Sequence, residues 1–94
     1  MDSIGKICIL GAGTWGTALA KIVLINQKSM NWFIRRDDQI EGFYKLGHNP
    51  SYLTNVKFNL AQITFYSNME KAIKESDTII IAIPSPYVKQ YFRR

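Results

Sequence analysis

Six residues near the N-terminus carry the strongest chemical signal in the sequence: Gly11-Ala12-Gly13-Thr14-Trp15-Gly16 reads G-x-G-x-x-G. The working atoms of such a segment are backbone N–H groups, and the glycines expose them to a phosphate. Gly11 is expected to form a tight turn. Gly13 leaves room where a pyrophosphate meets the backbone, and Gly16 lets a helix sit close to a sheet. A helix starting at Thr14 adds free N–H groups and a positive end that attract anions. A second constellation, Ile34-Arg35-Arg36-Asp37, follows about 20 residues later, where the motif places its ribose contact. Two guanidinium groups can grip a ribose 2′-phosphate through paired hydrogen bonds, whereas an acid there would hold the ribose hydroxyls. Asp37 could serve the ribose if Arg35 points away, or could cap the next helix. The arginine pair could also be plain solvated surface.

These residues act only if secondary structure positions them. Residues 6–10 (KICIL) form a short buried strand that ends at Gly11. From residue 14 to 26, Trp15, Ala18, Leu19, Ile22 and Val23 recur at helical spacing and mark the expected inner face. Residues 30–34 (MNWFI) form a second strand. Asp37 is the expected cap of a helix with Ile40, Phe43 and Tyr44 inward and Gly47 as its stop. Residues 48–62 are irregular and contain Pro50. Residues 63–66 read as a third strand, and Ser67 to Glu70 as a capping box. The helix it opens turns Met69, Ala72 and Ile73 inward. Residues 78–83 (TIIIAI) look like a central parallel strand covered on both faces. Ser85-Pro86 opens a last helix.

Strands alternating with helices imply an α/β fold with a parallel sheet and right-handed crossovers. Four strands fit the order 3-2-1-4, the first part of a doubly wound Rossmann sheet over residues 1–94.

Composition narrows the classes further. The 94 residues carry 47% hydrophobic and 20% charged side chains, an ordinary globular balance. No apolar run is long enough for a membrane span, and no signal peptide is visible. The net charge of +5 is dispersed, with clusters only at Arg35-Arg36 and Arg93-Arg94, so a nucleic-acid surface is not expected. The single cysteine, Cys8, lies in an apolar run and reads as a small buried hydrophobe in a reducing cytoplasm. No residue set reads as a metal site.

Taken together, GAGTWGTALA, RRDDQI, HNPSYLTNV and TIIIAIPS resemble the N-terminal domain of bacterial NAD(P)-dependent glycerol-3-phosphate dehydrogenases. The Trp in the turn and the H-x-x-x-Y-L element set that family apart from other Rossmann enzymes. The resemblance runs through the whole chain. It implies reduction of dihydroxyacetone phosphate to sn-glycerol 3-phosphate by NADPH or NADH, feeding phospholipid synthesis. It places Thr14 and Trp15 along the cofactor, Ile34, Arg35 and Arg36 at the adenosine end, and Tyr52 close by; the arginine pair, with no acid at the strand end, leads us to expect NADPH to be preferred. It places Tyr87 near the nicotinamide. Trp15 and Tyr52 could equally be core residues.

The resemblance also implies that the family's catalytic lysines, its substrate-binding residues and a helical C-terminal domain lie beyond Arg94. The chain is therefore expected to be a truncated portion without turnover of its own, with an unfinished sheet edge through which it could self-associate. Two other readings stay open. One is the opening unit of a different NADP-linked reductase, and the other is a nucleotide-binding module without chemistry.

Overall fold

The computed structural model describes residues 5–83. The expected last helix and Tyr87 lie outside them. Four strands, β1 (Ile7–Leu10), β2 (Met30–Phe33), β3 (Ile63–Tyr66) and β4 (Thr78–Ile81), form one sheet in the order β3-β2-β1-β4. Every pairing is parallel. Helices α1 (Thr14–Asn26), α2 (Asp37–Leu46) and α3 (Met69–Lys74) connect the strands, with a short 3₁₀ turn at Leu60–Gln62.

Strand alternation divides the core into two layers. Ile9, Met30, Trp32 and Ile34 face one side, where they meet Ala20 of α1, Phe43 of α2 and Phe58. Cys8, Leu10 and Phe33 face the other, against Ala72 of α3. Trp32 is the hub of the first layer. Its ring contacts Phe43 at 5.0 Å, Phe58 at 5.5 Å and Phe65 at 5.9 Å between centroids. Cys8 is fully buried, and desolvation pushes its thiol pKa up, as fits a small core hydrophobe.

Several local expectations need correction. The buried residues of α1 are Gly16, Thr17 and Ala20, while Trp15 and Ile22 are exposed. Small residues let the helix approach the sheet closely, with Leu19 and Val23 partly buried against the core as expected, while Trp15 and Ile22 turn outward. Asp37 does not cap α2. Arg36 occupies the cap position without a side-chain bond, and Asp37 and Asp38 sit in the first turn, where negative charge complements the helix dipole. Gly47 ends α2 in the left-handed region (φ 78°), as expected. The cap of α3 is Asn68, whose side chain accepts from the Lys71 N–H at 2.9 Å, so Ser67 and Glu70 do not form the capping box. In α3, Ala72 is buried but Ile73 is exposed.

β4 is shorter than expected and only half-buried, with Ile81 54% exposed. In the described sheet it is an edge strand paired with β1 alone, as the order 3-2-1-4 requires, and it is not buried like a strand covered on both faces. Residues 48–62 are not loose. Asn49 and Phe58 are buried, and Gly42 of α2 lies so close to Pro50 that a Cβ there would collide with its ring.

Candidate functional site

The Gly-rich segment joins the C-terminal end of β1 to α1, where open α/β sheets bind their ligands. Gly11 has φ +111°, a conformation other residues rarely adopt, and a Cβ on it would meet the Ala82 carbonyl at 2.8 Å. Its N–H donates to the Phe33 carbonyl at 3.0 Å, tying the turn to the end of β2. Gly16 answers a different constraint. A Cβ there would run into the Gly11 carbonyl, so the helix can follow this turn only with glycine at that point. Around Gly13, by contrast, a Cβ would meet nothing within 4 Å. Gly11 and Gly16 are therefore required by the fold itself, while the space beside Gly13 is open.

The turn is pinned from behind by side chains. Trp32 Nε1 donates to the Gly11 carbonyl at 2.8 Å. Asn49 Nδ2 and Gln39 Nε2 donate to the Ala12 carbonyl at 2.9 and 3.0 Å. The Thr17 hydroxyl donates to the Gly13 carbonyl at 2.7 Å. All three carbonyls of residues 11–13 are thus held by protein donors. Gly13 caps α1 without a side-chain bond, and no acidic residue lies in the first helical turn. The N-terminal amides and the positive end of a 13-residue helix are left for an anion.

Two clefts meet over this turn. The first, ≈ 450 Å³, is lined among others by Gly13, Ile34, Arg35, Arg36, Gln39 and Tyr52. The second, ≈ 560 Å³, is lined by Gly13, Thr14, Trp15, Leu19, Tyr52 and Ile81 together with its neighbours. Gly13 and Tyr52 belong to both. The first cleft is polar and cationic on its far wall, and the second is mostly apolar.

The cationic wall has internal structure. Arg36 Nε and Nη2 donate to the two carboxylate oxygens of Asp38 at 3.1 and 2.7 Å. The pair is exposed, 71% and 66% by side chain. The bond to Arg36 holds the Asp38 carboxyl below its ordinary range, and Asp38 raises the Arg36 guanidinium. The acid that engages Arg36 is Asp38.

Residues 6–94 match the family described as NAD-dependent glycerol-3-phosphate dehydrogenase N-terminus. The chain belongs to this family. It is 35% identical over 89 residues to the glycerol-3-phosphate dehydrogenase [NAD(P)+] of Bacillus subtilis, covering 95% of this chain and 26% of the relative. The Bacillus pumilus enzyme of the same name is 34% identical with the same coverage. The crystal structure of glycerol-3-phosphate dehydrogenase from Coxiella burnetii superposes with a TM-score of 0.73 at 30% identity, covering 85% of this chain and 24% of that one. The chain thus spans about a quarter of the length of these dehydrogenases.

Within this dehydrogenase fold the expected site residues separate into three groups. Gly11, Gly13, Ile34, Arg35, Arg36 and Tyr52 converge on the first cleft, and Gly13, Thr14, Trp15 and Tyr52 on the second. Gly16 lines neither and supports the turn from beneath. Trp15 and Tyr52 are 75% and 44% exposed, so neither is a core residue. Reasoning from sequence missed Gln39, Thr17 and Asn49, which pin the turn. A Gln, a Thr and an Asn in a helix or an irregular stretch carry no local signal, because their contacts cross up to 37 residues of sequence. Among the described residues no helix is long and apolar enough to cross a membrane, and no group of acidic, His and Cys side chains could hold a metal ion.

Proposed function

We propose that residues 1–94 are the dinucleotide-binding domain of an NAD(P)-dependent glycerol-3-phosphate dehydrogenase, and that the two clefts hold the two halves of one cofactor. The observation that carries this reading is the pair of unlike clefts joined over Gly13, whose missing Cβ leaves open space. A dinucleotide has the matching design: an adenosine half, a nicotinamide half and a doubly charged link. In this reading the Gly13 and Thr14 amides at the start of α1 meet the pyrophosphate. Ile34, Arg35 and Arg36 flank the adenine ribose, with Tyr52 above it. Trp15 and Leu19 cover the nicotinamide side, which Tyr87 would complete. Gly11 and Gly16 fix the shape of the turn.

The bound cofactor supplies hydride for reduction of dihydroxyacetone phosphate to sn-glycerol 3-phosphate. Residues of this chain bind and orient it, and none is assigned a proton-transfer role. The arginines favour NADPH over NADH, because a guanidinium complements a 2′-phosphate. A cytoplasmic setting fits the buried free thiol of Cys8. Among the described residues β4 is an edge strand with Ile81 exposed, a position suited to strand pairing with a second copy.

The test is oxidation of NADPH and NADH by the protein expressed from its full reading frame. Oxidation that depends on dihydroxyacetone phosphate is the expected result. Tight dinucleotide binding with no response to that substrate would instead favour a different reductase or a binding module. Absence of dinucleotide binding would remove the reading altogether.

A further inference from the structure

Asn49 is fully buried, yet every polar atom of its side chain is used. Its Nδ2 donates to the Ala12 carbonyl at 2.9 Å and to Thr17 Oγ1 at 2.8 Å. Its Oδ1 accepts from Gln39 Nε2 at 3.1 Å and from the N–H groups of Ser51 and Tyr52 at 2.9 and 3.2 Å. Gln39 uses its second Nε2 hydrogen on the same Ala12 carbonyl. One side chain therefore joins three separate pieces: the Gly-rich turn, helix α2 and the segment carrying Tyr52.

The orientation of the Ala12 carbonyl has a direct consequence. A trans peptide places its C=O and N–H on opposite sides, and no peptide in the described chain is cis. Two amide donors hold the Ala12 oxygen toward the buried Asn49. The N–H of the same peptide unit, which belongs to Gly13, is thereby turned the other way, away from Asn49. If that peptide were free to rotate, the carbonyl could face the cleft instead and repel an anion. Burial makes the restraint strong, because an Ala12 oxygen without its partners would lose its hydrogen bonds away from water.

We propose that Asn49, with Gln39, is a positioning residue for dinucleotide binding: it fixes the Ala12–Gly13 peptide with the N–H toward the pyrophosphate and seats Tyr52 over both clefts. This rests on the dinucleotide reading above. Asn49 itself lines neither cleft, so it acts through the turn and not by touching ligand. Gln39 also borders the first cleft, so adenosine is measured beside ADP-ribose to separate direct contact from positioning.

The experiment measures dissociation constants for NADH, ADP-ribose and adenosine in the protein expressed from its full reading frame, alongside thermal midpoints without ligand. The variants are Gln39→Met and Asn49→Asp. Gln39→Met keeps the side chain's length and removes one donor to Ala12. It should weaken NADH and ADP-ribose by roughly 5- to 10-fold, as loss of one hydrogen bond does, and leave adenosine within about twofold. Asn49→Asp keeps the acceptor for Ser51 and Tyr52 but sets an oxygen against the Ala12 carbonyl. It should weaken ADP-ribose by roughly 10- to 100-fold, with a smaller effect on adenosine.

If Asn49→Asp fails to fold, Gln39→Met alone decides the matter. Folded variants that bind ADP-ribose like the parent overturn the proposal. Equal losses for adenosine and ADP-ribose also overturn it, because a general structural role lowers both together. A parent protein that binds none of the three ligands refutes the dinucleotide reading itself, a different outcome from either of these.

Discussion

The two clefts on either side of Gly13 are built in different ways. The adenosine-side cleft is walled by β2, the start of α2 and the segment after Asn49, and its polar parts are tied together by hydrogen bonds through Asn49 and Gln39. The nicotinamide-side cleft is walled by α1 and the end of β4, with Trp15 and Ile81 largely exposed and Tyr52 shared between the two. The first has a hydrogen-bonded polar back and charge at its rim. The second is an apolar wall without a comparable network among the described residues. On the dinucleotide reading proposed above, affinity and the choice between NADPH and NADH would come from the first side, and the turn between them would hold the phosphates.

The largest effect expected is on the junction. Gly13→Val should weaken NADH and NADPH by roughly 100-fold or more, because the added side chain fills the pyrophosphate space. The fold should be almost untouched, since a Cβ at Gly13 meets nothing within 4 Å. Titration together with a thermal melt checks both halves of that statement. A variant that binds like the parent would mean that the turn does not hold the phosphates.

Next comes the charge at the rim of the adenosine cleft. At low salt we expect NADPH to be preferred over NADH by roughly 5- to 100-fold, with the gap narrowing as salt is added. Exposure of the Arg36–Asp38 pair argues for the lower part of that range. Changing Arg35 and Arg36 together to Ala should remove most of the preference and leave NADH binding nearly unchanged. Competition titrations at two salt concentrations would read it.

Trp15→Ala probes the opposite wall and should be milder. NADH should weaken by roughly 3- to 10-fold, about 1 kcal/mol of aromatic contact, while ADP-ribose stays within twofold. Equal losses for the two ligands would show that Trp15 shapes the turn and not the nicotinamide side.

The smallest effect concerns Asp38. Its carboxylate occupies Arg36, so Asp38→Asn should release the guanidinium and raise the NADPH preference a few-fold. The pH dependence has a definite sign. The folded pKa of Asp38 is lowered by Arg36, so the pair contributes at any pH above the ordinary carboxylate value of about 3.9. That contribution is lost as pH falls through the lower folded value. Because both groups are exposed, the loss should be barely measurable in a pH series of thermal midpoints, and absent in the Asn variant.

Much of this architecture is legible in the sequence, for identifiable reasons. Strand–helix alternation and the spacing of Gly11, Gly13 and Gly16 are local patterns, and they give the element order, the sheet order and the place of the turn. The inner face of α1 is not legible in the same way. Large apolar residues such as Trp15 and Ile22 look like core, but close packing selects Gly16, Thr17 and Ala20. The cap of α3 differs by one residue because Ser67 and Asn68 are both good caps, and only the geometry chooses Asn68. β4 reads as a central strand from composition, while exposure of Ile81 depends on which neighbours it has. Asn49 is the clearest case: its partners Ala12, Thr17 and Gln39 come from the Gly-rich turn, α1 and α2, and nothing local announces it.

The most direct test of the central claim, one dinucleotide across two clefts, is a competition titration of the protein with NADPH and 2′-phospho-ADP-ribose. Quenching of the exposed Trp15 provides the signal. The account predicts mutually exclusive binding of the two at one site per chain. It also predicts that only NADPH, with its nicotinamide in the second cleft, strongly quenches Trp15. Simultaneous binding of both ligands, or equal quenching by the two, would contradict it.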